Sequence, residues 1–507
     1  MKKYPFFLLL FTIYPSLALL TWNVREVNRI NVILRPLLLS MVIALFFTFI
    51  FFSLVKNRPK AILLSTICLI FFFSFGHISL LLEGSSLLET FGNAGWLINI
   101  LFPVLLLLVT VLLCYAVLKM RQEPRQTYLT LNVISAFLVL SSSFTLLNNI
   151  YRQSPSAHPT ETNRQSVTSN ATKPDVYYII LDAYARHDSL LSLGYDNSEF
   201  LQELNDIGFY VASCSRSNYP QTVVSMASSL NMGYLWDVIP NQGSDDRNSR
   251  PVYEGILHSQ VRREFENLGY QIMGFDSGAG WLNWRDADQF VAPEPESFFS
   301  THLDPFEYIF LDTTALHPLM TQPFFLRNKY VYNYDRILFA LKELPKLARV
   351  ETPKFVYVHM LIPHRPNIFL PDGSMNLDTD FYIKGVGEGI SRQVDIEGYL
   401  NNAKFINSRL PEVLRELIQQ SKTPPIIIIQ GDHGYQLPDI RFDNLNAYFF
   451  PDGNYAALYP KITPINTFRA IFNTYFGTDY PMLKDQSINV GINRPYGKKT
   501  MKPTPCP

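Results

Sequence analysis

The chain has 507 residues, with 43 Lys/Arg against 43 Asp/Glu, so its formal net charge is zero and it is too long for one compact domain. The charge is unevenly spread, because the first 150 residues carry 11 Lys/Arg and 4 Asp/Glu, a balance of +7, and the remainder a balance of −7. The absence of a basic run with interleaved aromatic residues argues against a nucleic-acid partner, and the absence of C-x-x-C argues against a cysteine zinc site.

Apolar runs dominate the first 150 residues. Each run is about 18–23 residues long, enough for a helix to cross the roughly 30 Å hydrocarbon layer of a membrane. Soluble helices rarely remain apolar on every face for that length. The sequence therefore predicts a five-helix transmembrane domain over 1–147, with spans at about 5–22, 36–55, 61–82, 96–118 and 128–147.

The basic residues indicate how these spans are oriented, because cytoplasmic loops are enriched in Lys and Arg. The loop near 83–95 has two Glu and no Lys or Arg, whereas most basic residues precede the first span or lie in the loops after the second and fourth. Arg25 and Arg29, between the first two spans, depart mildly from this pattern. Five crossings from a cytoplasmic N-terminus predict a multi-pass protein of the cytoplasmic (inner) membrane whose C-terminal part lies on the outer, periplasmic face. If the first run is instead a cleaved signal peptide, the four remaining spans place that part on the same side.

Beyond the spans, residues 148–174 are polar and rich in Ser, Thr, Asn and Pro, which predicts a linker. Short apolar runs then alternate with helical patterns over 175–507, which predicts an α/β domain with a mainly parallel sheet and helices on both faces. The strand-like runs are VYYIIL, QIMGFD, KFVYVHM and PIIIIQ. Since these runs are apolar almost throughout, we expect strands that are buried on both faces.

Polar side chains follow three of these predicted strands, and ligands in open α/β sheets bind beyond the carboxyl ends of strands. Asp182 follows VYYIIL, and Asp432 and His433 follow PIIIIQ. His359 lies in KFVYVHM and His364 comes shortly after it. Carboxylate oxygens together with an imidazole nitrogen suit Zn²⁺ or Mn²⁺ better than an ion that prefers oxygen alone.

A candidate nucleophile lies in SNYPQTVVSMASSLNM, where Thr222 opens a helical pattern. A phosphate held there would face unpaired backbone N–H groups and the positive end of the helix. Metal contact lowers the pKa of a hydroxyl and so activates it. Ser225, one turn further into the helix, is the alternative nucleophile, and Thr222 is otherwise an ordinary helix cap.

The order of these motifs resembles the alkaline phosphatase/sulfatase superfamily. Its elements are an Asp after the first strand, Thr-x-x-Ser at a helix start, then P-H-R-P, and then G-D-H-G. Five spans before an exported domain narrow the resemblance to membrane-anchored phosphotransferases, the lipid A phosphoethanolamine transferases and the lipoteichoic acid synthases. The resemblance implies a sulfatase-like catalytic domain over 175–507, and it implies that the enzyme transfers a phospho-alcohol group of the phosphoethanolamine or phosphoglycerol type. The donor would be a membrane phospholipid and the acceptor an envelope glycan or lipid.

The resemblance also implies roles for individual residues. Asp182, Thr222, Asp432 and His433 would hold one divalent ion, Zn²⁺ or Mn²⁺, and Thr222 would become covalently phosphorylated. His364 would contact the phosphoryl group or protonate the leaving alcohol. Two-metal members of the superfamily place a further histidine after D-H-G, whereas His433 is the last histidine of this chain, so a single ion is expected.

Two other functions remain open at this point. A sulfatase-like hydrolase or phosphodiesterase would use the same residues with water as the acceptor, although Cys214 is followed by SRSN and lacks the C-x-P-x-R pattern of sulfatases. A non-catalytic envelope protein would use a metal ion only to stabilise the domain.

Weaker expectations concern substrate contacts and one disulfide. Candidate substrate-binding residues are His359, Arg441, Trp281 and Trp284, for which core packing or a surface ion pair is the alternative. A disulfide between Cys214 and Cys506 is possible in an oxidising compartment, but spacing along the chain does not decide it.

Overall fold

A computed structural model describes residues 5–24, 26–27, 30–83, 95–121, 125–153, 173–240, 242–294, 303–351, 353–383, 390–491, 494–502 and 506. The chain divides into two compact units. The first comprises Met1–Glu161 and Pro295–Lys329, and the second comprises Thr162–Glu294 and Tyr330–Pro507.

Five helices form the N-terminal part of the first unit: α1 (Phe7–Asn23), α2 (Leu34–Leu54), α3 (Arg58–Glu83), α4 (Gly95–Lys119) and α5 (Arg125–Gln153). Four stretches among the described residues are long and apolar enough to cross a membrane, namely Ile30–Leu54, Arg58–Leu82, Leu101–Lys119 and Arg125–Tyr151. The helix α1 is apolar but shorter, at 17 residues. Each predicted span is thus helical, and four of the five have membrane-spanning length.

The remaining helices follow in chain order as α6 (His187–Ser192), α7 (Ser198–Ile207), α8 (Thr222–Leu230), α9 (Leu235–Val238), α10 (Arg250–Leu257), α11 (Gln260–Asn267), α12 (Pro305–Asp312), α13 (His317–Met320), α14 (Pro323–Glu343), α15 (Asp380–Ile383), α16 (Arg392–Gln420) and α17 (Pro464–Tyr475). Short 3₁₀ helices occur at Ile30–Ile33 and Leu344–Arg349. Most helices of the second unit carry an apolar side, as α7 does with buried Phe200 and Leu204. The sheet therefore has amphipathic helices available to cover it.

A segment far along the chain packs with the N-terminal helices. The phenyl ring of Phe310 in α12 lies 5.9 Å from that of Phe73 in α3, and the Ala315 N–H donates to the Phe72 carbonyl oxygen at 2.7 Å. Gly76 permits this approach, since a Cβ there would collide with the Asp312 carbonyl oxygen. The domain bounds predicted from the sequence, 1–147, 148–174 and 175–507, stay a prediction. The sequence did not indicate that a segment after residue 175 packs with the N-terminal helices. Most of the predicted linker lies outside the described residues.

A seven-stranded sheet organises the second unit in the order β2-β7-β6-β1-β5-β3-β4. Its strands are β1 (Val176–Leu181), β2 (Tyr210–Val211), β3 (Gln271–Phe275), β4 (Gln289–Val291), β5 (Lys354–Met360), β6 (Ile426–Gln430) and β7 (Asn446–Phe449). The five strands from β6 to β4 run parallel, while β7 is antiparallel to β6 and β2 is antiparallel to β7. The predicted α/β domain with a mainly parallel sheet is confirmed.

The central strands are buried on both faces. In β6, Ile426 and Ile428 belong to the apolar core on one side of the sheet, and Ile427 and Ile429 to the core on the other. Neighbouring β1 is likewise buried at each of its six residues. The run of four isoleucines is thus explained by helices that cover both faces of a parallel sheet.

The end of the chain returns to the second unit as an antiparallel hairpin of β8 (Ile488–Gly491) and β9 (Arg494–Thr500). Beyond it, Cys506 forms a disulfide with Cys214, with the two Cα atoms 5.6 Å apart. This separation lies within the range that a disulfide spans without moving the backbone.

Candidate metal and nucleophile site

Two adjacent strands bring three potential metal ligands together at the carboxyl edge of the sheet. Asp182 directly follows β1, and Asp432 and His433 follow β6, with β1 paired to β6 in parallel register. One ligand atom from each residue lies within 4.8 Å of the other two, and all three side chains are buried. Parallel pairing explains this convergence, since the carboxyl ends of parallel strands meet at one edge.

One oxygen of each carboxylate is buried without a hydrogen-bond partner among the described residues, Asp182 Oδ1 and Asp432 Oδ2. The other oxygens are occupied, because Asp182 Oδ2 lies 3.1 Å from His359 Nε2 and Asp432 Oδ1 accepts the Ala183 N–H at 2.8 Å. Burying a carboxylate oxygen without a partner is costly. A divalent cation between these two oxygens would remove that cost, so the residues fit a metal ion.

The imidazole of His433 is oriented as a metal ligand. Its Nδ1 lies 2.7 Å from the Gly434 carbonyl oxygen, which can only accept, so Nδ1 carries the hydrogen. The lone pair on Nε2 is therefore free to bind a metal ion. This Nε2 lies 3.8 Å from Asp182 Oδ1 and 3.7 Å from Asp432 Oδ2.

Thr222 joins the same cluster through the start of α8. Its Oγ1 lies 3.3 Å from His433 Nε2, and the first backbone N–H groups of the helix lack acceptors within the helix. Ser225, the alternative nucleophile, is buried and donates its hydroxyl hydrogen to the Asp432 carbonyl oxygen at 2.6 Å. Ser225 therefore braces the G-D-H-G loop, and Thr222 holds the accessible hydroxyl.

Two further histidines surround Asp182. The backbone N–H of His364 donates to the Asp182 carbonyl oxygen at 3.0 Å, and the His364 ring centroid lies 6.2 Å from that of His433. Burial alone would raise the pKa of Asp182, but the nearby imidazoles of His364, His359 and His433 hold that pKa below its usual value. The carboxylate is thus kept in the ionised form that a metal ligand requires.

Two glycines shape the G-D-H-G loop through its contacts with neighbouring backbone. A Cβ on Gly431 would collide with the Tyr184 carbonyl oxygen, and a Cβ on Gly434 with the carbonyl oxygens of Ile440 and Asp443. Without side chains, the loop packs directly against these segments and holds Asp432 in place.

The weaker substrate-binding candidates occupy supporting positions. Trp284 is fully buried and donates its indole N–H to the Ile256 carbonyl oxygen, so the prediction that it contacts substrate is wrong. Trp281 packs beside Tyr253 against the core, with ring centroids 5.7 Å apart. The indole of Trp284 thus serves packing, which its apolar ring favours. Trp281 is only partly buried, and its contact with substrate stays a prediction.

His359 and Arg441 contact segments that carry residues of the cluster. His359 is buried in β5 and its Nε2 faces the carboxylate of Asp182, so it orients a potential ligand and does not face a substrate. Arg441 donates from Nε to the Pro220 carbonyl oxygen at 2.8 Å, two residues before Thr222. Both residues were predicted to bind substrate. The burial of His359 behind Asp182 contradicts that role, whereas substrate contact by the half-buried Arg441 stays a prediction.

A cavity of about 260 Å³ adjoins the cluster and contains residues that the sequence analysis missed. Ala183 and His364 line it together with Asn367, Asp395 and Gln436. Asp395 lies in the first turn of α16, where an acidic residue is common in any helix, so its type carried no signal. Proximity to P-H-R-P was the one available signal for Asn367.

Comparisons with known proteins give similarities to solved structures only, as no family model and no curated relative matches the chain. The C-terminal periplasmic domain of EcEptC from Escherichia coli, a complex with Zn, has 12% identity, covers 65% of this chain and 93% of its own, and has a TM-score of 0.42. The lipooligosaccharide phosphoethanolamine transferase A (EptA) from Neisseria meningitidis, an integral membrane protein, has 11% identity, covers 92% and 95%, and has a TM-score of 0.40.

The lipoteichoic acid synthase LtaP from Listeria monocytogenes has 10% identity, covers 66% of this chain and 79% of its own, and has a TM-score of 0.37. Similarities this remote assign no activity, so function has to follow from the residues of the site. A protein in the alkaline phosphatase superfamily from Vibrio parahaemolyticus is also similar, with 10% identity, coverage of 63% of this chain and 74% of its own, and a TM-score of 0.37.

Proposed function

We propose that this chain is a membrane-anchored, metal-dependent transferase that moves a phospho-alcohol group from a lipid donor to an envelope acceptor through a phosphothreonine at Thr222. One observation carries the proposal. The Thr222 hydroxyl lies 3.3 Å from His433 Nε2, beside two buried carboxylate oxygens that lack hydrogen-bond partners in the described part of the chain. A hydroxyl beside an incomplete set of metal ligands is the arrangement that an activated nucleophile needs.

Asp182, Asp432, His433 and Thr222 would hold one divalent ion, and their oxygen and nitrogen atoms suit Zn²⁺ or Mn²⁺. Such an ion would lower the pKa of the hydroxyl and neutralise charge on the phosphoryl oxygens. The remaining chemistry belongs to the protein. A phosphoryl group attached to Thr222 would lie at the N-terminus of α8, where the first backbone N–H groups have no acceptor within the helix and favour an anion.

The first half-reaction forms a bond between Thr222 Oγ1 and phosphorus and breaks the ester bond to the lipid. The proton that Thr222 loses is balanced by the one that the leaving diacylglycerol gains. His364 suits the role of carrying that proton from one oxygen to the other, because its Nδ1 lies 2.7 Å from the Arg365 carbonyl oxygen, which leaves Nε2 to take up a proton and give it back. In the second half-reaction an acceptor hydroxyl attacks phosphorus and the bond from phosphorus to Thr222 Oγ1 breaks. His364 takes the proton of the acceptor and returns it to Thr222 Oγ1.

Anchoring suits a lipid donor. Four helices of this chain have the length and composition to cross a membrane, so enzyme and donor would share one surface and meet at a high effective concentration. We place the protein in the inner membrane with its second unit on the periplasmic face. The Cys214–Cys506 disulfide supports that location, since disulfides persist in oxidising compartments.

The experiment that tests the proposal is mass spectrometry of the purified, metal-loaded full chain after incubation with phospholipid vesicles. A phospho-alcohol adduct on Thr222 is the expected result. Addition of an acceptor glycan should discharge the adduct and yield modified acceptor, whereas a hydrolase would release free phospho-alcohol into the buffer. A metal-loaded protein that acquires no adduct contradicts the proposal.

A further inference from the structure

The cavity beside the metal cluster is built from elements that meet next to the proposed nucleophile. Ala183 follows the potential ligand Asp182, and His364 belongs to the P-H-R-P loop. Tyr435 and Gln436 directly follow the G-D-H-G motif, and Gln436 Nε2 lies 3.3 Å from His364 Nε2. The cavity thus shares the P-H-R-P loop and the segments that follow β1 and β6 with the proposed active site.

Positive charge exceeds negative charge in the cavity. Arg365 and Arg392 line it, and Asp395 is the one carboxylate among its described lining residues. Both oxygens of Asp395 are occupied, because Arg365 Nε donates to Oδ1 at 2.6 Å and the Tyr435 hydroxyl donates to Oδ2. No open carboxylate is left there to receive a cationic ligand.

Arg392 adds a second cation to the cavity lining. It is exposed at the first position of α16, and no carboxylate pairs with it in the part of the chain that the structure describes. Its guanidinium is therefore available to a ligand, and it repels an ammonium group.

An exposed amide supplies neutral hydrogen bonds in the same wall. Gln436 lines the cavity and is exposed. An amide offers one donor group and one acceptor, which together match the hydroxyls of a polyol. Asn367 is without exposed surface, so its amide does not reach a ligand in the cavity.

We propose that this cavity binds the alcohol portion of the donor headgroup and selects an uncharged polyol over an ammonium-bearing alcohol. The inference rests on the proposed transferase function and names its substrate class. The Arg365 guanidinium is paired with Asp395, so the exposed guanidinium of Arg392 is the charge that disfavours ethanolamine. Arg392 and the exposed amide of Gln436 offer hydrogen bonds to glycerol-type hydroxyls. The transferred group is then phosphoglycerol.

A competition inside one vesicle tests the selection. Full-length, metal-loaded protein is incubated with vesicles that contain equal amounts of phosphatidylglycerol and phosphatidylethanolamine, so that both donors share one surface charge. The mass of the Thr222 adduct then identifies the donor. We expect phosphoglycerol to exceed phosphoethanolamine by about tenfold or more. A predominance of phosphoethanolamine overturns the inference and leaves the transferase intact, whereas no adduct from either lipid overturns both.

Reversing the charge of Arg392 tests whether the cavity causes the preference for phosphoglycerol. Arg392→Glu is expected to reduce the preference for phosphoglycerol by about tenfold, because the new carboxylate attracts ammonium. Arg409→Glu, an exposed position on the same helix outside the cavity lining, is the matched control and should keep the preference. Equal shifts in both variants contradict a role for the cavity.

A binding measurement gives a readout that needs no turnover. Isothermal calorimetry of the purified full chain should show that glycerol 1-phosphate binds more tightly than phosphoethanolamine. The Arg392→Glu variant should narrow that difference, while Arg409→Glu should not. Tighter binding of phosphoethanolamine by the unmodified chain overturns the inference.

Discussion

At the scale of single side chains, Thr222 combines an accessible hydroxyl with a place beside three potential metal ligands. Thr222→Ala removes the hydroxyl and leaves Asp182, Asp432 and His433 in place. We expect transfer to fall by about three orders of magnitude or more, as for other removed nucleophiles, while the protein still binds metal. Adduct formation by mass spectrometry and metal content by elemental analysis measure the two effects.

Thr222→Ser is the matched control, because it keeps a hydroxyl at the same position. Thr222→Ser should retain a measurable adduct. Loss of metal from either Thr222 variant would indicate a folding defect. Unchanged transfer in Thr222→Ala would shift the chemistry to another group and contradict the proposed intermediate.

His359 contacts the potential metal ligand Asp182 and would orient its carboxylate. Its imidazole faces Asp182 Oδ2 at 3.1 Å, and removal of such supporting partners lowers metal affinity by about 10–100-fold in other metal sites. We expect a loss of that size in His359→Ala, measured by competition with a chelator. His258→Ala, at a partly exposed residue outside the cluster, should leave metal affinity unchanged, and equal affinities in both variants would exclude the supporting role.

The sequence predicted that the potential ligands Asp182, Asp432 and His433 lie together, because each follows an apolar run that is recognisable as a buried strand. It did not distinguish Trp284 in the core from an aromatic residue at a binding site, since an indole suits both environments. It also missed Asp395, whose role depends on tertiary contacts with Arg365 and Tyr435. Such contacts leave no periodic pattern along the chain.

At the scale of elements, the G-D-H-G loop depends on backbone packing. Gly434→Ala places a Cβ against the carbonyl oxygens of Ile440 and Asp443. Because backbone cannot yield as a flexible side chain does, we expect a loss of about 1–3 kcal/mol in the free energy of unfolding and weaker metal binding. Thermal melting and metal titration measure both.

Gly243→Ala is the control, since nothing lies within 4 Å of the added Cβ at that exposed glycine. Its melting temperature should match that of the unmodified chain. If Gly434→Ala melts at the same temperature as this control and binds metal equally well, the loop is not held by the close packing.

Strands that are apolar throughout were predictable as elements, and β1, β5 and β6 begin and end within one residue of the predicted runs. The antiparallel neighbour β7 was not predicted, because four residues with one polar end give no distinct period. The segment around α12 has an apolar side, but amphipathicity does not say which element covers it. Its packing on α3 therefore required coordinates.

At the scale of the whole molecule, two features together restrict the location of the second unit. They are the four helices of membrane-spanning length among the described residues and the Cys214–Cys506 disulfide. A chain that spans the membrane and keeps a disulfide needs its second unit on the oxidising side. In the proposed function, that side also offers lipid headgroups and envelope acceptors to the transferase. The charge balance agrees, because the basic excess lies in the first 150 residues, where cytoplasmic loops require it.

This location predicts the state of the two thiols in intact cells. Alkylation before lysis should leave Cys214 and Cys506 unmodified until a reductant is added, as read by peptide mass spectrometry. Cys214→Ser opens a loop with a sequence separation of 292 residues, and we expect it to lower the free energy of unfolding by about 2–5 kcal/mol. Cys68→Ser, at a free cysteine in α3, is the control for thiol loss. Free thiols at both positions in growing cells would place the second unit in a reducing compartment and remove the proposed lipid donor from its reach.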